Sequence, residues 1–219
     1  MSVKGFIFDL DGVITDTADY HFEAWKNLAS NYGITIDREF NEQLKGISRM
    51  DSLNRILEFG GRKTEFTEAQ KEAMAAEKNG EYVKLIEKMT PEHILPGVLD
   101  FLTELKKHNY LLGLASASKN GPVILERLNL SGYFDTIVDP SLLAKGKPDP
   151  EIFLTAARQL GLKPEECIGI EDASAGIESI NKAKMFSVGV GDKESMKEAN
   201  YRLSNTSELS LEKILNRLS

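Results

Sequence analysis

The chain has 219 residues and carries 27 Lys and Arg against 34 Asp and Glu, a formal charge of −7. Hydrophobic residues make up 41% and charged residues 28%, which excludes a disordered chain and allows one large domain or two modest ones. The acidic balance argues against nucleic acid as the main partner, one cysteine excludes an internal disulfide, and no apolar run approaches the ~20 residues that span a bilayer.

The first element is a buried strand, Val3 to Phe8. Asp9 follows before any signal-peptide core can form, so a cytosolic protein without a membrane partner is expected. From about Thr15 to Pro91 the chain reads as helices. One face carries Tyr20, Ala24, Trp25 and Leu28, a second Leu53, Ile56 and Leu57, and a third Tyr82, Val83 and Ile86, with a turn at Gly60-Gly61. Residues 15–92 are therefore expected to form a helical cap domain, inserted into an α/β core domain of residues 1–14 and 93–219. A two-strand connection is a natural hinge, and a hinged lid suits chemistry that must exclude water.

Beyond the insert, apolar runs at Tyr110–Ala115, Thr136–Val138, Cys167–Ile170 and Met185–Val190 read as strands buried on both faces. Helical patterns at Val98–Lys107, Gly121–Leu128, Pro150–Leu160 and Ala173–Lys182 lie among them. Pro150 is expected at the first helical position behind an Asp149 cap, and Gly161 ends the same helix. The alternation predicts an α/β fold with a doubly wound, parallel, Rossmann-like sheet. Cys167 is expected to be a buried, inert thiol.

Ligands of such sheets sit beyond the carboxyl ends of the strands. Asp9 and Asp11 follow the first strand, Ser116 to Asn120 the second, Lys147 the third and Glu171-Asp172 the fourth. Clustered carboxylates repel unless something compensates them, and a hard divalent cation, Mg²⁺, is the natural compensation. A metal, a lysine and hydroxyl donors at one point are what phosphoryl transfer requires. No Ser–His or Cys–His pairing is evident, so a carboxylate is the best nucleophile on offer, and no Gly-x-x-x-x-Gly-Lys-Ser/Thr loop is present.

Phe8-Asp9-Leu10-Asp11-Gly12-Val13 resembles the nucleophile motif of the haloacid dehalogenase-like (HAD) superfamily, and Ser116, Lys147 and Glu171-Asp172 match its other motifs in order. Asn41-Glu42-Gln43-Leu44-Lys45-Gly46-Ile47-Ser48-Arg49 and Ser116-Ala117-Ser118-Lys119-Asn120-Gly121 narrow the resemblance to the branch that isomerises β-glucose phosphates. The resemblance implies a Mg²⁺-dependent intramolecular phosphotransferase that interconverts β-D-glucose 1-phosphate and β-D-glucose 6-phosphate through β-glucose 1,6-bisphosphate. It implies that Asp9 is phosphorylated and ligates Mg²⁺ together with Glu171, Asp172 and the backbone carbonyl of Asp11, with Asp11 the general acid and base. Ser116 and Lys147 would hold the transferring phosphoryl group and Arg49 the other phosphate. Lys45, Gly46, Ser52 and Trp25 would line the sugar site from the cap, and Ala117, Ser118, Lys119 and Asn120 from the core. Thr17, His21 and Lys78 would couple substrate binding to the placement of Asp11.

Plainer readings stand beside these. Glu171-Asp172 could cap the following helix, Lys45 and Arg49 could share a polar helix face, and Trp25 could pack inside the cap. Two other functions remain open: a sugar-phosphate phosphatase of the same superfamily, and a receiver-like signalling domain phosphorylated on aspartate. A moving lid is easiest to picture on a monomer.

Overall fold

The computed structural model describes residues 2–44 and 47–218. Its centre is a six-stranded sheet in the order β3-β2-β1-β4-β5-β6, with every pairing parallel. The strands are β1 (Gly5–Phe8), β2 (Leu111–Leu114), β3 (Thr136–Ile137), β4 (Cys167–Glu171), β5 (Phe186–Val190) and β6 (Tyr201–Leu203). From β1 the chain winds out to β2 and β3, then crosses back to β4 on β1's other side. The switch point therefore falls between β1 and β4, where such sheets bind their ligands.

The apolar runs lack alternation because helices cover both faces. Phe6 and Phe8 of β1 pack with α5 (Val98–Lys107), and Phe101 stands edge-on to Phe6 at 5.8 Å. Ile7 points the other way, into a cluster with Phe153 and Ala156 of α7 (Glu151–Gln159) and Ile177 and Ile180 of α8 (Ser174–Lys182). The remaining helices of this part are α6 (Gly121–Arg127) and α9 (Leu211–Leu215).

Two local departures from the sequence reading appear. Strand β6 was not anticipated; it has three residues at the sheet edge, and Arg202 is exposed, so it lacks an apolar run. Pro150 occupies the capping position of α7 rather than its first turn, and the Asp149 carboxylate accepts the Glu151 N–H at 3.0 Å. Strand β4 ends in Glu171, as the sequence indicates, and Glu171 is in register with Gly189 of β5 and fully buried.

Between β1 and α5 lie α1 (Ala18–Asn31), α2 (Arg38–Glu42), α3 (Arg49–Phe59) and α4 (Glu68–Ile86). Trp25, Leu28, Phe40, Leu53, Ile56, Leu57 and Met74 bury one another in a cluster of their own, while Ala24, Tyr82 and Ile86 join the cluster around β1. Where the chain leaves and re-enters the sheet, Thr15 forms a bridge with Ile94, and the Thr15 hydroxyl donates to the His93 carbonyl at 2.7 Å. Leu95 N–H donates to Ile14 O at 3.0 Å. Among the described residues, no helix is long and apolar enough to cross a membrane.

Candidate active site

The tips of β1 and β4 bring three acids together. Asp9, Glu171 and Asp172 each offer a carboxylate oxygen, and these oxygens all lie within 4.8 Å of one another. Lys147 Nζ donates to Asp9 Oδ1 and to Glu171 Oε2, both at 2.7 Å. The other oxygen of Glu171 accepts the N–H groups of Asp172 and Ala173, each at 3.2 Å. Ala173, not Asp172, occupies the capping position of α8, so the capping role open to Asp172 is not taken and its carboxylate stays with the cluster.

Two glycines make room for this packing. A Cβ on Gly12 would stand 2.0 Å from Asp172 Oδ2, and one on Gly176 would stand 2.0 Å from Glu171 Oε2. Gly12 also adopts φ +72°, a conformation that costs any other residue strain.

Burial pushes the Glu171 carboxyl up, and the charge of Asp9 adds to the rise. Asp172 is raised by burial and then by Glu171 and Asp9. Burial opposes the charge of Lys147, but Asp9 and Glu171 outweigh it and hold the ammonium protonated. Three acids share one ammonium in a recess of hard oxygen donors, and the upward shifts of Glu171 and Asp172 show that the recess is short of positive charge. That fits a hard divalent cation such as Mg²⁺.

Asp11 lies outside this carboxylate group. One of its oxygens accepts the Thr17 backbone N–H at 3.2 Å and the Thr17 hydroxyl, whose oxygen is 2.8 Å from the Tyr82 hydroxyl. Burial pushes the Asp11 carboxyl up to about 6 despite those bonds. Its second oxygen lies 3.8 Å from His21 Nε2, while His21 Nδ1 is 2.7 Å from Lys78 Nζ. Burial and the cations Lys78 and Arg49 push His21 well below its ordinary value and keep it neutral; with its one proton on Nε2, the nitrogen that faces Asp11, Nδ1 is free to accept from Lys78. Lys78 is itself lowered to about 7 by burial and by Arg49.

A cleft of about 480 Å³ runs from these groups into the helical segment. Asp9, Asp11, Asp172, Ser116, Ala117, Ser118 and Lys119 line it from the sheet, and His21, Trp25, Arg49, Ser52 and Lys78 from the helices. Thr17, Lys147 and Glu171 sit behind that lining, buried against residues that form it. Asn120 is buried at the start of α6. Lys45 and Gly46, expected at the sugar site, lie outside the described residues.

Local turns explain the placements. Ser48 caps α3 by accepting the Asp51 N–H, which puts Arg49 in the first turn at the cleft and lets the Ser52 hydroxyl donate back to Ser48 O at 3.0 Å. Ser116 accepts the Ser118 N–H and Ser118 the Asn120 N–H, so the strand-to-helix turn and the cleft lining are one feature. Trp25 is buried in the helical cluster and also lines the cleft, with Lys78 Nζ 4.7 Å above its ring. Residue-level reading missed Gly176, Tyr82 and Asn79, whose side-chain oxygen accepts from both Arg49 and Asn120. Only the adjacency of Asn79 to Lys78 hinted at the last.

A Rossmann-like sheet with an aspartate, a lysine and paired acids at its switch point defines a phosphoryl-transfer enzyme of HAD type. Residues 3–184 match the haloacid dehalogenase-like hydrolase family, and the chain belongs to it. Within that family it is similar to β-phosphoglucomutase of Bacillus subtilis (strain 168), at 54% identity over 210 residues, 96% of this chain and 93% of the relative. A crystal structure of β-phosphoglucomutase from Clostridium difficile superposes with a TM-score of 0.97 at 53% identity, covering 98% of this chain and 96% of that one. A phosphorylated-carbohydrate phosphatase of Thermotoga maritima stands further off, at 30% identity over 183 residues, 83% of this chain and 82% of the relative.

Proposed function

We propose that the protein interconverts β-D-glucose 1-phosphate and β-D-glucose 6-phosphate, with Asp9 as the phosphorylated group and β-glucose 1,6-bisphosphate as the intermediate. One observation carries this: the Asp9–Lys147–Glu171–Asp172 group opens onto a cleft that also carries a guanidinium, Arg49. A mutase needs two phosphate pockets, and a simple phosphatase needs one. Full-length similarity to two β-phosphoglucomutases supports the same reading.

Lys147 holds one oxygen of Asp9 and fixes the carboxylate for attack by the other. Mg²⁺, held by Asp9, Glu171, Asp172 and the backbone carbonyl of Asp11, would supply positive charge against the oxygens of the transferring group. In one half-reaction a sugar hydroxyl attacks phospho-Asp9, and Asp11 takes its proton. In the other, the Asp9 carboxylate attacks the second phosphate of the bisphosphate, and Asp11 returns the proton to the leaving sugar oxygen. An Asp11 carboxyl raised to about 6 is matched to both tasks near neutral pH. Ser116 would steady the transferring group, while Ser52, Trp25, Ala117, Ser118, Lys119 and Asn120 would meet the sugar and its other phosphate.

Water is the competing acceptor, so transfer has to await closure of the helical cap, residues 15–92, over the sugar. Remote binding of the second phosphate by Arg49 supplies the energy for closure. One chain provides both walls of the cleft, so a monomer suffices. Incubation with anomerically pure β-glucose 1-phosphate, Mg²⁺ and a trace of bisphosphate tests the reading. Glucose 6-phosphate as the main product supports it; inorganic phosphate as the main product assigns a phosphatase.

A further inference from the structure

Arg49 and Asn120 approach from opposite walls, one from α3 of the helical segment and the other from the turn between β2 and α6. They meet at a single atom. Asn79 Oδ1, on α4, accepts from Arg49 Nη2 at 2.7 Å and from Asn120 Nδ2 at 2.9 Å. An amide oxygen has two lone pairs, so this one is fully used, whereas a guanidinium has five N–H donors and Asn120 keeps a second. Asn79 is half-buried and Asn120 is buried, which shields both bonds from water. The partner is also neutral. Among the described residues no carboxylate pairs with Arg49, and burial works against its charge, so that charge is left to answer an incoming anion.

We propose that Asn79 is a positioning residue for the phosphate that is not being transferred. It ties the cap's guanidinium to the core's amide, so that their remaining N–H groups converge on one phosphate when the cap closes. The proposal rests on the mutase reading, which requires that second pocket. Without the tie, Arg49 would explore its rotamers and Asn120 would lose the acceptor that sets its amide plane. Phosphate binding would then have to supply the ordering itself.

The test is a double-mutant cycle on the full chain. Asn79→Ala lies on a helix, where alanine favours folding. It should raise KM for β-glucose 1-phosphate about tenfold, with kcat falling less than about threefold. Combined with Arg49→Ala it should add less than about a further twofold, because the tie has nothing left to hold. Asn79→Asp, nearly isosteric, would pair the guanidinium with a carboxylate and should raise KM beyond the alanine variant. Single-variant effects that multiply in the double variant, a kcat loss with KM unchanged, or a wild-type KM for Asn79→Asp would each overturn the proposal. If the wild type releases inorganic phosphate instead of glucose 6-phosphate, the mutase reading fails. The same cycle, read on KM for hydrolysis of a bisphosphorylated sugar, then judges the tie separately.

Discussion

The ammonium of Lys147 lies 2.7 Å from a carboxylate oxygen of Asp9, and neither side chain has more than a trace of contact with solvent. The same ammonium reaches Glu171 at 2.7 Å. One cation thus ties Asp9, the proposed nucleophile at the end of β1, to Glu171 at the end of β4 across the switch point of the sheet.

Removing that cation leaves buried carboxylates facing one another. Lys147→Ala should cost about 3–5 kcal/mol of stability without metal. Added Mg²⁺ should restore part of it, because the ion replaces the lost positive charge. Urea unfolding with and without Mg²⁺ measures both effects. A loss below about 1 kcal/mol would show that the acids relax apart or take up protons.

The two aspartates of the first motif should separate in function. Asp9→Asn should abolish turnover and leave no phosphorylated protein on incubation with acetyl phosphate. Asp11→Ala should keep the fold and the Mg²⁺ affinity, since its carboxylate is not part of the three-acid group, yet slow both half-reactions by about 10²–10⁴-fold. Rapid-quench assays of each half-reaction, with Mg²⁺ titration alongside, would decide the assignment.

Gly176→Ala sets local structure against the site. Alanine in place of glycine within α8 should stabilise the helix by up to about 1 kcal/mol. The added Cβ, however, would stand 2.0 Å from the Glu171 carboxylate and must displace it. Mg²⁺ affinity should fall while the secondary structure is retained, by calorimetric titration and circular dichroism. Unchanged affinity would remove Glu171 from the metal site.

Lys78 predicts a pH dependence of stability. Its folded value is about 7, lowered chiefly by burial, against ~10.4 in the unfolded chain. Below pH 7 both states are protonated, and the folded state carries the full cost of the buried charge. Between about pH 7 and 10 only the unfolded state holds the proton, so stability rises with pH, on the order of 2–4 kcal/mol across the window. Lys78→Met should remove that rise. The groups facing Lys78 are His21, Arg49, the rings of Trp25 and Tyr82, and the charge of Asp11, which opposes the lowering; His21 is already neutral. Parallel stability curves for the two proteins would show that Lys78 does not titrate there.

The strand ends were legible for a physical reason. A strand buried on both faces is an unbroken apolar run, so the first acid after it marks the carboxyl edge; Asp9 and Glu171 could be placed that way before any coordinates. Strand β6 could not, because an edge strand of three residues with an exposed Arg202 has no such run. Gly176 reads as a weak spot in a helix, and its purpose shows only once the Glu171 carboxylate is seen against it. Asn79 reads as one more polar residue on a long helix. Its two partners, 30 and 41 residues away in sequence, come from other elements, and no periodicity reports that. The helical faces were legible only in part: Leu53, Ile56 and Leu57 bury together, whereas Tyr82 and Ile86 turn toward the sheet.

The clasp at Thr15 and Ile94 has a consequence for how such proteins diverge. Its backbone and hydroxyl bonds bring the two crossings of the chain side by side at the sheet's rim. Everything threaded between them is topologically a single long loop with its ends stapled. Residues there can be lengthened, exchanged or reshaped with little disturbance to strand order. What limits such change is the set of inserted residues, Ala24, Tyr82, Ile86 and Met89, that share the apolar cluster of β1.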